Sequence, residues 1–477
     1  MVAIVFPVSS APGIRPQEGA GRLKNCFAVK TEQGAPSPFK WGRAAGLREL
    51  LLIADHSHCR GFIFVGSTLL VVLDERVYAV TESAGVFTAV NLGALPGTDA
   101  VTIARNNNAT PQIVAVCDAG TFNLFTNAAP TAFADGDLPA VNSVAGANGY
   151  FVFTTGGGEV WSSDLNSVAV QSDAFTAAQL NPDGLLRAVW FRGELFAMGG
   201  KTIEVFEETG DSPFPFRSKK IVIPRGLVGT HAVAGFEDGW ANELCWVGED
   251  NNVYQLVGYG PKAISNEDVS RAVKGAADRS LIEASVYMHG PYPIFSITSP
   301  GEWTWNYNLA TGLWFEAASH QRTDWRARRS IRAFDRWIVG DDETGKLAEV
   351  DPGYHYEYGD ALTMEMVSGA NIQFPYPVEI PAAFFNFTAA VGSAPGADPI
   401  ETAPRVMIRV SLDGGHSWGR EITRELGRQG EGAKLVRLNG VGTTRGGRGV
   451  RYWLRISDPC HLGFLGGEMP DVKARAA

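Results

Sequence analysis

Residues 62–90 read Phe62-Ile-Phe-Val65, Thr68-Leu-Leu-Val-Val-Leu73, Arg76-Val-Tyr-Ala-Val80 and Val86-Phe-Thr-Ala-Val90. The four apolar runs are short, and Gly, Ser, Asp or Glu stands between each run and the next. Short runs rich in β-branched and aromatic residues, bounded by turn formers, are typical of strands joined by tight turns. The stretch therefore predicts one four-stranded antiparallel sheet.

Looser versions of this sheet repeat along the chain. Their first strands begin near six further positions: Val101, Val141, Gly184, His231, Ile282 and Ile331. The starts lie roughly 40–50 residues apart, which is the period of propeller blades. The WD and kelch signatures are absent from the sequence, so the repeat rests on the pattern alone. We predict an all-β protein in which residues 49–355 form a β-propeller of six or seven blades, whose radial closure protects the strand edges.

The residues before the propeller are irregular. Five prolines punctuate residues 1–48, which predicts an extended N-terminal arm wrapped on the surface. A short helix is possible over Gly46 to Ala54. A second helix is expected at Asn266 to Ala276, because Asn266 is a suitable N-cap and two acidic residues follow it.

After residue 355 the strands become longer and alternate more regularly. Seven are predicted: Leu362–Val367, Ala382–Thr388, Val406–Leu412, Arg420–Leu426, Leu435–Leu438, Val450–Ser457 and Leu462–Leu465. They indicate a separate antiparallel β-sandwich or barrel over residues 356–477, with a flexible loop at Val391 to Pro404.

Charge is distributed unevenly along the chain. The 477 residues carry a formal net charge of −10, which argues against a general nucleic-acid binder. From Arg405 onward there are 13 Lys/Arg against 7 Asp/Glu, a net of +6, whereas the preceding residues have 28 against 44, a net of −16. An acidic body with a basic C-terminal module can self-associate head to tail or bind an acidic partner.

The cysteines and apolar segments bear on the compartment. Five scattered cysteines without zinc-like spacing make a disulfide scaffold improbable and favour assembly in a reducing cytoplasm. The N-terminus lacks the basic and apolar regions of a signal peptide, and the most apolar segment is too short and interrupted to span a membrane. No membrane insertion is expected.

The octet Ser411 to Trp418 is the most specific motif in the chain. It follows the pattern Ser-x-Asp-x-Gly-x-Ser/Thr-Trp of the "Asp box" turn found on sialidase-type propellers. Ser411, Asp413, Gly415 and Trp418 are the positions that define it. A sialidase-like glycosidase is one interpretation, but the motif occurs once and lies outside the predicted propeller. The alternative is a structural turn, because Asp-Gly-Gly accepts positive φ angles and the Asp and Ser side chains can bond their own backbone.

No other motif indicates catalysis or metal binding. The segment His56-Ser-His58-Cys59 lacks a third nearby ligand, so a surface loop is the better interpretation. Asp341-Asp342-Glu343 is interpreted as a solvated hairpin tip, since the EF-hand spacing is absent. We predict that the protein is not an enzyme and has no catalytic residues, no metal site and no cofactor.

Two basic stretches could contact partners. Arg322 to Arg332 places Trp325 among arginines, which would suit either a nucleic-acid backbone or a strand edge packed against acidic neighbours. On the strand Val450 to Ser457, alternation places Arg451, Trp453 and Arg455 on one face. Arg and Trp are enriched at the centres of protein interfaces, so these three residues are the candidate subunit interface.

Three segments together resemble a known family. They are Gln179-Leu-Asn-Pro-Asp-Gly184 leading into Thr202-Ile-Glu-Val-Phe206, then Arg225-Gly-Leu-Val-Gly-Thr230, and finally Val410 to Arg420 followed by Val450 to Ser457. The chain resembles the packaged-DNA stabilisation proteins, also called tail accessory or nozzle proteins, of short-tailed bacteriophages. The likeness extends over about residues 180–465, and the N-terminal third matches in style only.

The resemblance implies a structural virion protein of the phage tail, assembled in the host cytoplasm. It implies a homo-oligomeric ring, usually a hexamer, below the portal and adaptor proteins. Its channel would hold packaged double-stranded DNA without sequence-specific binding, closed by a tail needle or plug, with fibres or spikes attached around it. A receptor-binding propeller is the remaining alternative, and it predicts binding of the isolated chain to host cells or glycans.

Overall fold

The structure, a computed structural model, describes residues 1–178, 183–371, 376–388, 391–392, 398–432, 434–445 and 447–474. Strands make up 52% of it and helices 3%, so the predicted all-β class is confirmed. Residues 179–182, from the first resembling segment, and residues 393–397, from the predicted loop, lie outside the described residues.

Residues 1–52 form five strands. These are β1 (Val2–Ile4), β2 (Arg22–Lys24), β3 (Cys26–Lys30), β4 (Phe39–Arg43) and β5 (Gly46–Leu52). The prediction of an extended arm wrapped on the surface is wrong, because Leu23 and Cys26 are fully buried and Trp41 is only 6% exposed. The indole of Trp41 donates to the carbonyl of Pro7 at 2.7 Å, which ties the first residues into the same core. Proline spacing alone could not reveal this, since the strands pair with residues far along the chain.

The predicted propeller is present. Six of its blades each consist of four consecutive antiparallel strands, and in the sixth these strands are part of a larger sheet. They are β6–β9 (Cys59–Val65, Thr68–Leu73, Arg76–Ser83, Val86–Ala94), β10–β13 (Thr102–Arg105, Ile113–Cys117, Gly120–Leu124, Thr131–Ala132), β14–β17 (Ser143–Ala147, Tyr150–Thr154, Glu159–Ser163, Val170–Ala177), β18–β21 (Leu185–Phe191, Glu194–Gly199, Ile203–Glu208, Phe216–Ile223), β22–β25 (Val233–Ala234, Cys245–Val247, Val253–Val257, Gly260–Ala263) and β26–β29 (Glu283–His289, Tyr292–Ser299, Trp303–Asn308, Leu313–Ala317).

A seventh blade closes the ring, and it takes its fourth strand from the N-terminus. Strands β30 (Ala327–Ala333), β31 (Arg336–Asp341) and β32 (Lys346–Asp351) are joined by β5, which pairs antiparallel with β32. The helix suggested for Gly46 to Ala54 is therefore wrong. Pairing with residues 346–351 overrides the local apolar pattern. Leu47 in β5 is fully buried, so the closing strand is also a core element.

Apolar clusters lie between neighbouring blades. One example joins Leu70 and Val72 of the first blade to Ile113 and Ala115 of the second, and all four are at most 2% exposed. Similar clusters connect the blades on either side. Because burial occurs between blades, each sheet depends on both neighbours for its hydrophobic stabilisation.

Two sheets follow the propeller. Their strands from this part of the chain are β35 (Met364–Val367), β36 (Val378–Phe387), β37 (Arg405–Ser411), β38 (Ile422–Glu425), β39 (Val436–Thr443), β40 (Arg451–Ile456), β41 (Gly463–Met469) and β42 (Lys473–Ala474). A short helix, Pro399–Thr402, lies between β36 and β37. The two preceding strands, β33 (Tyr356–Glu357) and β34 (Asp360–Ala361), instead extend the sheet of the seventh blade beyond β5. One sheet has the order β3-β4-β41-β36-β39. In addition, β1 pairs with β41 and β42 pairs with β36. Phe385 of this sheet packs edge-on against Tyr452 of the other, with ring centroids 5.3 Å apart. All seven predicted strands exist, while the sandwich or barrel architecture stays a prediction.

The second C-terminal sheet is continuous with the propeller. Strand β29 of the sixth blade pairs with β2, and the sheet continues through β35, β40, β37 and β38, giving nine strands in total. The buried side chain of Glu316, in β29, accepts hydrogen bonds from Arg22 in β2 at 2.8 Å and from Ser10 at 2.8 Å. The N-terminal residues thus join the propeller to the C-terminal strands.

The helix predicted after the fifth blade is confirmed as α1 (Glu267–Gly275). The Asn266 side chain accepts a hydrogen bond from the Val269 amide at 2.9 Å, satisfying one of the free amides of the first turn. Its Val269 and Val273 side chains are fully buried. A 3-10 turn follows at Arg279–Leu281.

Candidate functional site

The two motifs singled out by the sequence lie side by side. Strand β37 ends at Ser411, where the octet begins, and it pairs antiparallel with β40. In this register Ser411 faces Arg451, and Arg409 faces Trp453. The structure therefore brings the turn and the Arg/Trp strand into one local unit.

The octet is a turn built on the Asp413 carboxylate. Asp413 accepts hydrogen bonds from the Ser411 hydroxyl at 2.7 Å and from the Ser417 amide at 2.9 Å. The Ser411 hydroxyl in turn accepts from the Gly415 amide at 2.8 Å. Burial alone raises the pKa of Asp413, but hydrogen bonds from Ser417 and Ser411 outweigh it and hold the pKa well below its usual value.

Glycine is required at position 415 for two reasons, its positive φ angle and the lack of space for a side chain. Its φ is +103°, in the region that favours glycine, and a Cβ there would lie 2.9 Å from the Cβ of Pro16 and 3.1 Å from the Cδ of Arg451. The turn therefore packs directly against the N-terminal segment. Its position is consistent with a role in holding that segment on the C-terminal sheet.

Replacing Asp413 with alanine is expected to lower stability by about 1–3 kcal/mol, because hydrogen bonds to a charged acceptor are lost. Since the folded-state pKa is depressed, the ionised carboxylate stabilises the fold fully above the unfolded pKa of about 4, and this contribution is lost as pH falls further. Urea denaturation of both proteins at pH 7 and pH 3 should show a smaller difference at pH 3. An unchanged difference would mean that the turn does not depend on the charge.

Arg451 does not lie on an exposed face, contrary to the prediction for it. The residue is 4% exposed, and its guanidinium donates to the carbonyls of Ser368, at 2.8 Å, and Pro16. Strand alternation does place it on the same side as Trp453 and Arg455, but the N-terminal segment covers it. Burial lowers the pKa of Arg451, and its role is to anchor that segment.

The rest of this face is accessible and forms what we call the Trp453 surface: Met407, Arg409, Trp418, Trp453 and Arg455. The indole rings of Trp418 and Trp453 meet edge-on with centroids 5.6 Å apart, and the Arg409 guanidinium lies 5.1 Å from the Trp453 ring centre. The Arg455 side chain is 45% exposed and lies 3.6 Å from Glu365. The surface thus presents two aromatic rings and two cations, with the acidic Glu421 and Glu365 beside them.

Sequence reasoning missed Met407 and Arg409 as members of this surface. The signal was present, because Val406 and Ile408 are fully buried and the strand period of two turns the residues between them to the opposite face. Pairing of β37 with β40 could not be read from the sequence, and without it the Arg409–Trp453 contact has no basis.

The second basic stretch is a buried ion network and not an exposed binding surface. Arg326 forms a bidentate pair with Asp341, both N–O distances being 2.6 Å, and Asp341 is fully buried. Arg328 contacts Asp324 at 2.7 Å and Asp342 at 2.9 Å. The solvated hairpin tip predicted for Asp341-Asp342-Glu343 is wrong, because these arginines cover the first two residues.

Acid–base properties of the network follow from its geometry. Burial alone raises the pKa of Asp324, but hydrogen bonds from Arg322 and Arg328 lower it to about 2. The Arg322 side chain is 18% exposed and also contacts Glu343 at 2.8 Å. Asp324 is therefore ionised at neutral pH, where it faces the guanidinium groups of Arg322 and Arg328.

The histidine segment makes structural hydrogen bonds. His56 contacts Asp74 at 3.0 Å and the Tyr78 hydroxyl at 2.7 Å, and His58 contacts Asp342 at 2.9 Å. Among the described residues, no group of three or more His, Cys, Asp or Glu is placed to hold a metal ion. All five cysteines are free. No helix in the described part of the chain has the length and apolarity needed to cross a membrane.

The solved structures that resemble this chain are distant. They include the WD40 β-propeller domain of Doa1 (10% identity, 64% of this chain, 97% of that chain, TM-score 0.43) and U3-55K (10%, 65%, 99%, 0.40). PorZ of Porphyromonas gingivalis, a component of the type-IX secretion system, matches at 12% identity over 80% of this chain and 46% of its own, with a TM-score of 0.36. No functional argument rests on likenesses this distant.

The family comparison is informative. No curated protein matches the chain. The family model described as bacteriophage P22 Gp10, β-propeller, matches residues 53–354 of the 477. That range contains six complete blades and the first three strands of the seventh. The family is one of phage structural proteins, which supports a non-enzymatic virion component. The chain belongs to the bacteriophage P22 Gp10 β-propeller family of phage DNA-stabilisation proteins.

Proposed function

We propose that copies of this protein form a ring in the phage tail, a hexamer, below the portal and adaptor proteins. The ring retains the packaged DNA, conducts it during ejection and carries fibres or spikes, and a needle or plug closes it. Membership of the P22 Gp10 family is the observation that carries the proposal. The proposal adds to the family's role in DNA stabilisation a position in the phage tail and assembly into a ring.

The size of the propeller's own centre supports a channel between subunits. The cavity on the propeller axis has a volume of about 510 Å³, and Arg187 and Arg329 are among its lining residues. Arg329 is bonded there to Glu283 at 2.9 Å. A volume of 510 Å³ corresponds to a sphere about 10 Å across, which is narrower than the major groove of B-DNA alone, about 12 Å. The duplex is wider than its own groove, so it cannot pass through this cavity. A DNA conduit therefore requires several copies arranged around a common axis.

Charge complementarity supports contacts between copies. Residues 1–404 carry a net charge of −16 and residues 405–477 a net charge of +6. Opposite charges on two parts of one chain favour head-to-tail contacts, which generate rings when the rotation closes. An acidic channel wall would also repel DNA phosphates, so the genome would not adhere during ejection.

The Trp453 surface is our candidate for the basic side of the subunit contact. Tryptophan and arginine dominate the binding energy of many interfaces, and here both are accessible on one sheet face. Arg409 replaces Arg451 in this proposal, because Arg451 is buried within the subunit. Trp453 and Arg455 remain as predicted members.

The double substitution Arg409→Glu with Arg455→Glu is expected to block ring formation, because it reverses two charges beside the aromatic pair. The monomer should stay folded, since Arg455 is 45% exposed and Arg409 is half-buried. Sedimentation velocity and electron microscopy of the purified protein, with and without the adaptor, measure the outcome. The matched control is Arg76→Glu with Lys262→Glu, which makes the same charge change at two exposed propeller positions.

The two parts of the proposal fail differently. Normal rings from the Arg409/Arg455 variant would show that the interface lies elsewhere. A wild-type protein that stays monomeric at every concentration, with the adaptor present, would overturn the ring itself.

A further inference from the structure

A cavity of about 180 Å³ lies where the N-terminal strands, the propeller and the C-terminal sheets meet. Four separate segments build its wall. They are the hairpin of β3 and β4, the adjoining ends of β26 and β27, the segment after β32 and the segment before β41. Their polar or ionisable lining residues are Lys40, Arg43, His289, Tyr292, His355 and His461. None of the residues that line it is acidic.

Arg43 has unused hydrogen-bonding capacity at this cavity. The residue is 5% exposed, and its Nη2 donates to the carbonyls of Asp458, at 2.9 Å, and Ile456, at 3.3 Å. Its Nε and Nη1 are buried and have no hydrogen-bond partner among the described residues. A buried charged donor without an acceptor is costly, so these two groups favour an acceptor in the adjacent space.

Two histidines at this cavity also have a buried ring nitrogen without a hydrogen-bond partner. The Nδ1 atoms of His289 and His355 are buried and lack a partner in the described part of the chain. The His355 ring lies 6.3 Å from that of His461. Burial lowers the pKa of His289 to about 4, with His355 adding to the effect, and burial, Arg43 and His461 lower that of His355 to about 4.

The nearest carboxylates do not supply the missing acceptor. Asp351 raises the pKa of His355 slightly against these effects, but it is bonded to Arg48 at 2.6 Å. The backbone carbonyl of Asp458 accepts a hydrogen bond from Arg43 Nη2, and the charge of Asp458 raises the pKa of Arg43. The cavity therefore combines a buried guanidinium, an ammonium group and three imidazoles with no anion facing them.

We propose that this cavity binds a small tetrahedral oxyanion of the sulfate or phosphate class. Arg43 Nε and Nη1 would donate to it from one side and His289 and His355 from the other, with Lys40 and His461 at the rim. Such an ion fits the cavity, and the arrangement matches the charge-assisted bonding that guanidinium groups make to oxyanions. The bound ion would link the propeller to the C-terminal sheets.

Sodium sulfate is the probe, because sulfate does not titrate between pH 5 and pH 8. Isothermal titration calorimetry at constant ionic strength is expected to show one site in the full-length protein. Lys40→Gln with His461→Gln should weaken sulfate binding at least about tenfold, since the ammonium group and the imidazole donor at the rim are removed. These two rim residues are half-buried and exposed, so the fold is retained. The control, Lys262→Gln with His416→Gln, removes the same residue types at exposed positions and should bind as the wild type.

The pH dependence provides an independent readout. A bound anion favours the imidazolium forms of His289 and His355, so sulfate affinity should rise as pH is lowered from 8 to 5.5, with proton uptake on binding. Equal thermal stabilisation by chloride at the same ionic strength would overturn the site, as would unchanged affinity in the Lys40/His461 variant. A short single-stranded oligonucleotide at equal phosphate concentration serves as the competitor. If it displaced sulfate, the ligand would be a phosphate group of nucleic acid, and the proposal of a free ion would be overturned.

Discussion

Replacing Arg326 with alanine is expected to lower the free energy of unfolding by about 3–5 kcal/mol, because Asp341 would remain buried without its bidentate partner. Asp341 is fully buried, and the Thr344 hydroxyl, which also donates to it, carries no positive charge that could replace the guanidinium. Glu343, 3.1 Å from Arg326, is a second carboxylate that would lose the same partner. Urea denaturation followed by tryptophan fluorescence measures the change.

The matched control is Arg217→Ala. Arg217 also pairs with a carboxylate on a neighbouring strand, Glu207 at 2.8 Å, but the two side chains are 68% and 41% exposed. Water replaces such a partner readily, so the control should not move the denaturation midpoint measurably. Equal effects from the two substitutions would show that burial does not set the contribution of the Arg326 pair.

Leu47→Ala is expected to destabilise the protein by about 2–5 kcal/mol, because it opens a cavity beneath the strand that closes the propeller. Leu47 is fully buried in β5, and its carbonyl also accepts a hydrogen bond from the Tyr358 amide at 2.9 Å. Hydrogen exchange should show the largest loss of protection in residues 346–351, which pair with this strand.

Leu52→Ala serves as the control for the closing strand. It makes the same substitution in the same strand, but Leu52 is 51% exposed, so its effect should stay within about 0.5 kcal/mol. If hydrogen exchange instead increased uniformly in every blade of the Leu47 variant, the seventh blade would not open separately, and the propeller would unfold as one cooperative unit.

Much of the propeller could be predicted from the sequence because its inner strands carry strong patterns. Runs such as Thr68 to Leu73 are apolar and bounded by turns, and the structure makes this run β7. Two of the outer strands, Thr131–Ala132 and Gly260–Ala263, were missed, because they are short and mostly exposed and have no pattern of their own. Only their hydrogen bonds to the neighbouring strand define them.

The errors at the site have one physical cause, which is contact between distant parts of the chain. Arg451 alternates as predicted, yet it is buried because Pro16, 435 residues earlier, covers it. Asp341 and Asp342 look like a hairpin tip locally, and three arginines on neighbouring segments neutralise them. Alternation shows which side of a strand a residue occupies, but not what covers that side.

The pairing of β1 with β41 has a consequence for biosynthesis. Val2 pairs with Met469, so the first strand finds its partner only after nearly the whole chain has been translated. Until then β3 and β4 can pair only with each other, β1 lacks β41, and β5 lacks residues 346–351. Such long-range pairing slows folding and leaves strand edges exposed on the nascent chain. A chain that ended before β41 could still close its propeller through β5 and β32, but β1 and β4 would lack the strand that holds them in the C-terminal sheet.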